Sequence, residues 1–194
     1  MSLELTTLRG SISTRSDARD GVRAMLPIMV AYAPLGLVVG AQVAASADPV
    51  SAWLGTWLIF GGAAQLAVLD VLSHGSGWVA AAVVGLLVNL RLAAYATAMV
   101  PAWRTAPLRR RLLAGLVLTD APWALARSRT RGAQSYYLGA ALTLLVLWPT
   151  VVTVGVFVGG SVEQFAVTSL LVPLTLGALL VPQLRERPAR FGEG

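Results

Sequence analysis

The chain of 194 residues has no cysteine and a single histidine, and its fifteen basic residues are all arginine. Without cysteine there is no disulfide frame and no thiolate-held metal. One histidine, His74, cannot supply the clustered imidazoles of a zinc site. Charge is scarce as well: Asp, Glu, Lys and Arg make up 12% of the residues, against roughly 25% in a soluble domain. Too little polar surface is left to cover a water-soluble core. The strict two-residue alternation of a membrane β-barrel is missing, and so is any HExxH, while the GSG after His74 is no nucleophile elbow. Asp70 and Asp120 lack the glycine-flanked setting expected of an intramembrane aspartyl protease. The chain is therefore read as a non-enzyme with no cofactor or metal.

What is present is hydrocarbon: 56% of the residues are hydrophobic. A helix needs about 20 apolar residues to cross about 30 Å of lipid. Six segments meet or approach that length, at about 24–46, 52–72, 77–100, 111–127, 135–158 and 162–182. The expectation is an all-α, polytopic integral membrane protein with about six hydrophobic helical segments, some broken or re-entrant. Residues 1–22 read as a cytoplasmic N-terminal arm, 23–183 as the transmembrane domain and 184–194 as a polar tail. Trp53, Trp57, Trp78 and Trp103 fall near segment ends, where interfacial anchors belong.

Two segments look discontinuous. The second carries Gly61, Gly62, Ala63 and Ala64 halfway along, and the short fourth contains Asp120 and Pro122. The small residues also suit tight helix packing, whereas Pro122 should open the backbone ladder. Topology raises the same point. Fourteen arginines form four blocks, at 9–23, 104–111, 127–131 and 185–190, and the net charge is +6. These blocks flank apolar spans, so they read as topology signals rather than as a nucleic-acid surface. Six simple crossings would place the 104–111 block outside. All four blocks face inward if the fourth segment dips in and returns and the second or third does likewise; otherwise one basic loop breaks the rule.

The remaining arginine, Arg91, lies halfway along the third segment, where a charge costs roughly 2.5–3.5 kcal/mol on insertion scales. Asn89 is two positions earlier, about 200° around the helix. Either two neighbours supply partners or the helix unwinds near 89. Tyr95, one turn on from Arg91, can offer it a ring or hydroxyl. Asp120 is the natural counter-charge, directly or through a bound cargo, and is a candidate for proton coupling. Gln65 can bond a cargo or an adjacent helix. Asp70 reads as interfacial and His74 as a loop residue.

Four motifs occur in order: Pro34-Leu-Gly36 with Gly40, Phe60-Gly-Gly-Ala-Ala-Gln65, Asn89-Leu-Arg91 with Tyr95, and Leu118-Thr-Asp120. Together they resemble the AzlC-type branched-chain amino acid exporter family, with residues 162–182 and Pro173 similar to a later family span. Leu92 and Ala121 stand where members often carry His and Glu. The resemblance implies a multi-pass permease of the bacterial inner membrane that exports valine, isoleucine, leucine and sometimes methionine, with a small hydrophobic AzlD-type subunit as its companion. It implies no nucleic-acid partner. The chemistry of an amino acid zwitterion assigns Arg91, with helix ends freed at Gly61 and Gly62, to the carboxylate, and Asp120 with Asn89 or Gln65 to the ammonium. Tyr95 completes that set, and Pro149 and Pro173 are flex points. The competing reading is a non-transporting membrane subunit whose buried polar residues only fix helix packing.

Overall fold

A computed structural model describes residues 2–59 and 61–159, with side chains from residue 14 onward. Among the described residues every element is helical: α1 (Ser2–Ala45), α2 (Pro49–Ile59), α3 (Gly62–Ser73), α4 (Trp78–Trp103), α5 (Leu108–Leu116), α6 (Asp120–Arg127) and α7 (Ala133–Gly159). Three are long and apolar enough to cross a membrane: the Thr14–Ala45 part of α1, α4 and α7. They correspond to the first, third and fifth hydrophobic segments. The second and fourth are each split into two short helices, and the 162–182 segment, Pro173 and the polar tail lie outside the described residues.

α1 and α7 form the densest pairing, and glycine makes it possible. Ala18 backs onto Gly139, Leu37 onto Gly155 and Ala41 onto Gly159, so the two helices run parallel. A Cβ at Gly40 would collide with the Val152 carbonyl and the Gly155 backbone, and one at Gly21 with the Tyr136 carbonyl. Gly36 and Gly40, with Gly155 and Gly159, repeat the four-residue spacing of small residues that lets membrane helices touch backbone to backbone. A buried cluster of Met25, Met29, Val39, Val43, Leu144, Trp148 and Val152 fills the rest of the seam. α7 continues as helix through Pro149.

α2 begins with Asp48 accepting a hydrogen bond from the Ser51 amide at 3.1 Å, the mark of a helix N-cap. The Ser51 side-chain and backbone hydrogen bonds hold this exposed carboxyl below its ordinary pKa. α2 then folds back into α3: the Gln65 amide donates to the Thr56 hydroxyl at 2.7 Å across nine residues. Trp53 donates to Thr153 near the end of α7 at 2.9 Å, so the hairpin enters from the face where α1 and α7 end. α3 continues through the turn at His74–Gly77 into α4, which runs back antiparallel with Val68 seated on Gly85.

α4 ends beside the start of α7. Gln134 donates to the Ala102 carbonyl at 2.7 Å, and the Trp103 and Tyr137 rings meet edge to face at 5.7 Å. From there α5 enters the bilayer, with the Tyr137 hydroxyl donating to the Ala114 carbonyl at 2.8 Å. The chain breaks at 117–119, and α6 returns to the same face. There Arg129 pairs with Asp20 of α1 at 3.6 Å and lies 4.2 Å over the Tyr136 ring. The short helices have 11, 12, 9 and 8 residues. At 1.5 Å per residue each covers about half of a 30 Å core.

Over the described residues the architecture is therefore three full spans and two half-membrane hairpins inserted from opposite faces. α1 with α2–α3 and α4 with α5–α6 are the same unit, a span followed by a hairpin, in inverted orientation. The basic blocks at 9–23, 104–111 and 127–131 all fall on one face, which the positive-inside rule makes cytoplasmic. Asp48, Asp70 and His74 fall on the other. Over the described residues the second and fourth segments are both re-entrant, as one of the two topologies open to the sequence requires; the block at 185–190 lies outside the described residues.

Candidate functional site

The hairpin tips meet at the centre of α4. Arg91, thirteen residues from Trp78 and twelve from Trp103, places a guanidinium nitrogen 2.9 Å from an Asp120 carboxylate oxygen. Both side chains are about 40% exposed. Asp120 opens α6, so its carboxylate lies by the positive end of that helix. Pro122 falls in the first turn of α6, where its missing amide has no helical acceptor to lose. The break thus precedes the proline, at 117–119, instead of being opened by it.

The other tip lies on the Asn89 side of α4. A Cβ at Gly61 would stand 3.5 Å from the Asn89 amide oxygen, and one at Gly62 would strike Trp148 of α7 and Leu35 of α1. A side chain at 62 would have to displace the ends of the Trp148 and Leu35 side chains, and Gly61 takes extended backbone before α3. α4 stays helical through this region. The helix therefore does not unwind near 89: Arg91 has a partner in Asp120, and Asn89 lies beside the Gly61 backbone.

Three buried polar atoms have no hydrogen-bond partner among the described residues: Gln65 Oε1 on α3, Thr119 Oγ1 before α6 and Trp148 Nε1 on α7. Gln65 is 1% exposed and spends its amide on Thr56, leaving its carbonyl oxygen unpaired. Thr119 precedes Asp120 and makes no side-chain cap for α6. Unpaired polar groups are costly at this depth. Tyr32, half-buried on α1, is within electrostatic reach of both Arg91 and Asp120.

Tyr95 differs from expectation. Its ring does not cover the Arg91 guanidinium but stacks on Trp123 of α6, with centroids 4.1 Å apart and planes 18° from parallel. Trp123 was not singled out from sequence, although it is three residues after Asp120 on one helix as Tyr95 is four after Arg91 on the other. Arg127 lies 5.1 Å from the Trp123 ring centroid on the side toward the cytoplasmic face. Asp70 and His74 are exposed in the far-side turn, where His74 Nδ1 is 2.8 Å from the Asp70 carbonyl oxygen. No group of acidic, His or Cys side chains among the described residues has the makings of a metal site.

A family model described as AzlC protein matches residues 27–162, which include both hairpins and all of α4. The chain belongs to the AzlC family, a family of membrane transporters associated with branched-chain amino acids. No curated protein and no solved structure matches the chain.

Proposed function

We propose that this AzlC-family chain exports branched-chain amino acids (valine, isoleucine, leucine and, among unbranched ones, methionine) across a bacterial inner membrane. It works with a small hydrophobic AzlD-type partner subunit, and cargo is bound where the two hairpin tips meet α4. The observation that carries this reading is the Arg91–Asp120 pair at 2.9 Å, at the centre of a spanning helix and at the tip of a broken one. A zwitterion presents one carboxylate and one ammonium, and this pair offers one group of each opposite sign. Arg91 takes the carboxylate, and the positive helix end at Gly61 and Gly62, on the Asn89 side of α4, is a second anion-binding feature along the cargo's path. Asp120 takes the ammonium, while Asn89 and the unpaired Gln65 Oε1 belong to the other hairpin tip across α4 and are acceptors for the cargo only when the two tips open to one cavity. Tyr95 borders the pair, and the abundant Leu, Val and Ala of the surrounding helices offer the apolar lining that an aliphatic side chain needs. Asp120 is the group through which a proton gradient would drive the cycle.

The closed state of the pair also favours the duller reading, in which two charges only lock α4 to α6. Efflux separates them. Cells preloaded with valine or isoleucine should lose it faster when the chain and its partner subunit are expressed together, and Arg91→Gln should return efflux to background. Unchanged efflux in that variant would leave the pair a packing device.

A further inference from the structure

The ion pair and the aromatic stack join the same two elements. Tyr95 follows Arg91 by one turn of α4, and Trp123 follows Asp120 by one turn of α6. Both steps lead toward the cytoplasmic face, because α4 ends there at Trp103 and α6 ends there at Arg127. Moving inward from the pair, one meets Tyr95 stacked on Trp123, then Arg127 beside the same indole, then Arg129 held by Asp20 and Tyr136. On the other half the Trp53 and Trp57 rings meet edge to face at 6.2 Å within α2, but among the described residues no aromatic pair there joins a hairpin to α4: the position three residues into α3, matching Trp123 in α6, is Gln65.

We propose that the Tyr95–Trp123 stack is the cytoplasmic gate of the cargo site, and that α6 is its moving leaf. This rests on the export reading above and adds the route by which cargo enters. A zwitterion that takes Arg91 and Asp120 as partners must part them, and α6 cannot draw Asp120 away from α4 without unstacking Trp123 from Tyr95. Opening the gate and freeing the charges are one movement. After loading, restacking closes the cytoplasmic path behind the cargo. Arg127, 5.1 Å from the same ring, adds a cation–π contact that holds the closed position from below.

The absence of native cysteine gives a test independent of amino acid transport. Thr119→Cys places the only thiol of the chain at the hairpin tip, behind the stack. Its reaction with a negatively charged, membrane-impermeant methanethiosulfonate is timed in inside-out and right-side-out vesicles that also contain the partner subunit. Trp123→Ala should raise the cytoplasmic-side rate by about two- to tenfold, the factor carried by loss of an aromatic pair. Trp123→Phe, which keeps a stacking ring, should stay near the parent, and the outer-side rate should not change. An unchanged cytoplasmic rate in Trp123→Ala, or equal increases from both faces, would overturn the gate. Gated labelling in a protein that moves no valine would uphold the gate and remove the cargo assignment, so the two failures can be told apart.

Discussion

Asn89 and Arg91 leave α4 on opposite sides, and each meets the tip of a different hairpin. The sequence made Arg91 conspicuous by its cost and made Asp120 its only intramembrane acidic candidate, so the pairing was legible before any coordinates. The stack of Tyr95 on Trp123 was not. Tryptophan near the end of an apolar segment reads as an interfacial anchor, and only the return of α6 along α4 turns it inward. Each charge of the pair relies on the other, so removing one leaves its neighbour unpaired. Arg91→Gln or Asp120→Asn alone should destabilise the protein by about 1–3 kcal/mol, kept toward the low end because both groups are partly exposed. The double variant should cost less than the sum of the two. A double-mutant cycle on denaturation in nanodiscs measures the difference.

The broken helices were foreshadowed by the glycine and alanine run at 61–64 and by the short fourth segment, but their directions were not. Nothing local distinguishes a kinked crossing from a hairpin. That depends on which ends find partners, such as Gln134 on Ala102 or Trp53 on Thr153. Pro122 was a misleading signal, because a proline in the first turn of a helix interrupts nothing. The α1–α7 pair gives a prediction that belongs to helices as units. Gly155→Val sets side-chain atoms against the Leu37 backbone, which cannot yield, and should cost about 1–3 kcal/mol or more. Gly115→Ala, with nothing within 4 Å of the added methyl, should be neutral or stabilise α5 by up to about 1 kcal/mol. Thermal denaturation of the two purified variants beside the parent checks the contrast.

For the molecule as a whole, arginine placement carried the topology. Three described blocks lie on one face because both discontinuous segments return to the side they enter from, a result that hydropathy alone misses by scoring each as a span. Single cysteines at Ala47 and Ser76 should be labelled from outside the cell, and those at Thr105 and Thr130 from inside, although an apolar segment separates the members of each pair. Labelling of Thr105 and Thr130 from opposite sides would mean that the fourth segment crosses.

The glycine contacts between α1 and α7 carry a last consequence. Where backbone rests on backbone at Gly21, Gly40, Gly139 and Gly155, a slip of register would drive side chains into the facing main chain, so the seam resists sliding. These two helices behave as a stator anchored in the bilayer. Whatever displacement a transport cycle demands falls to the thin half-depth wedges hung beside it, and a ligand that clamped a wedge against the stator would stall turnover without occupying the place where cargo sits.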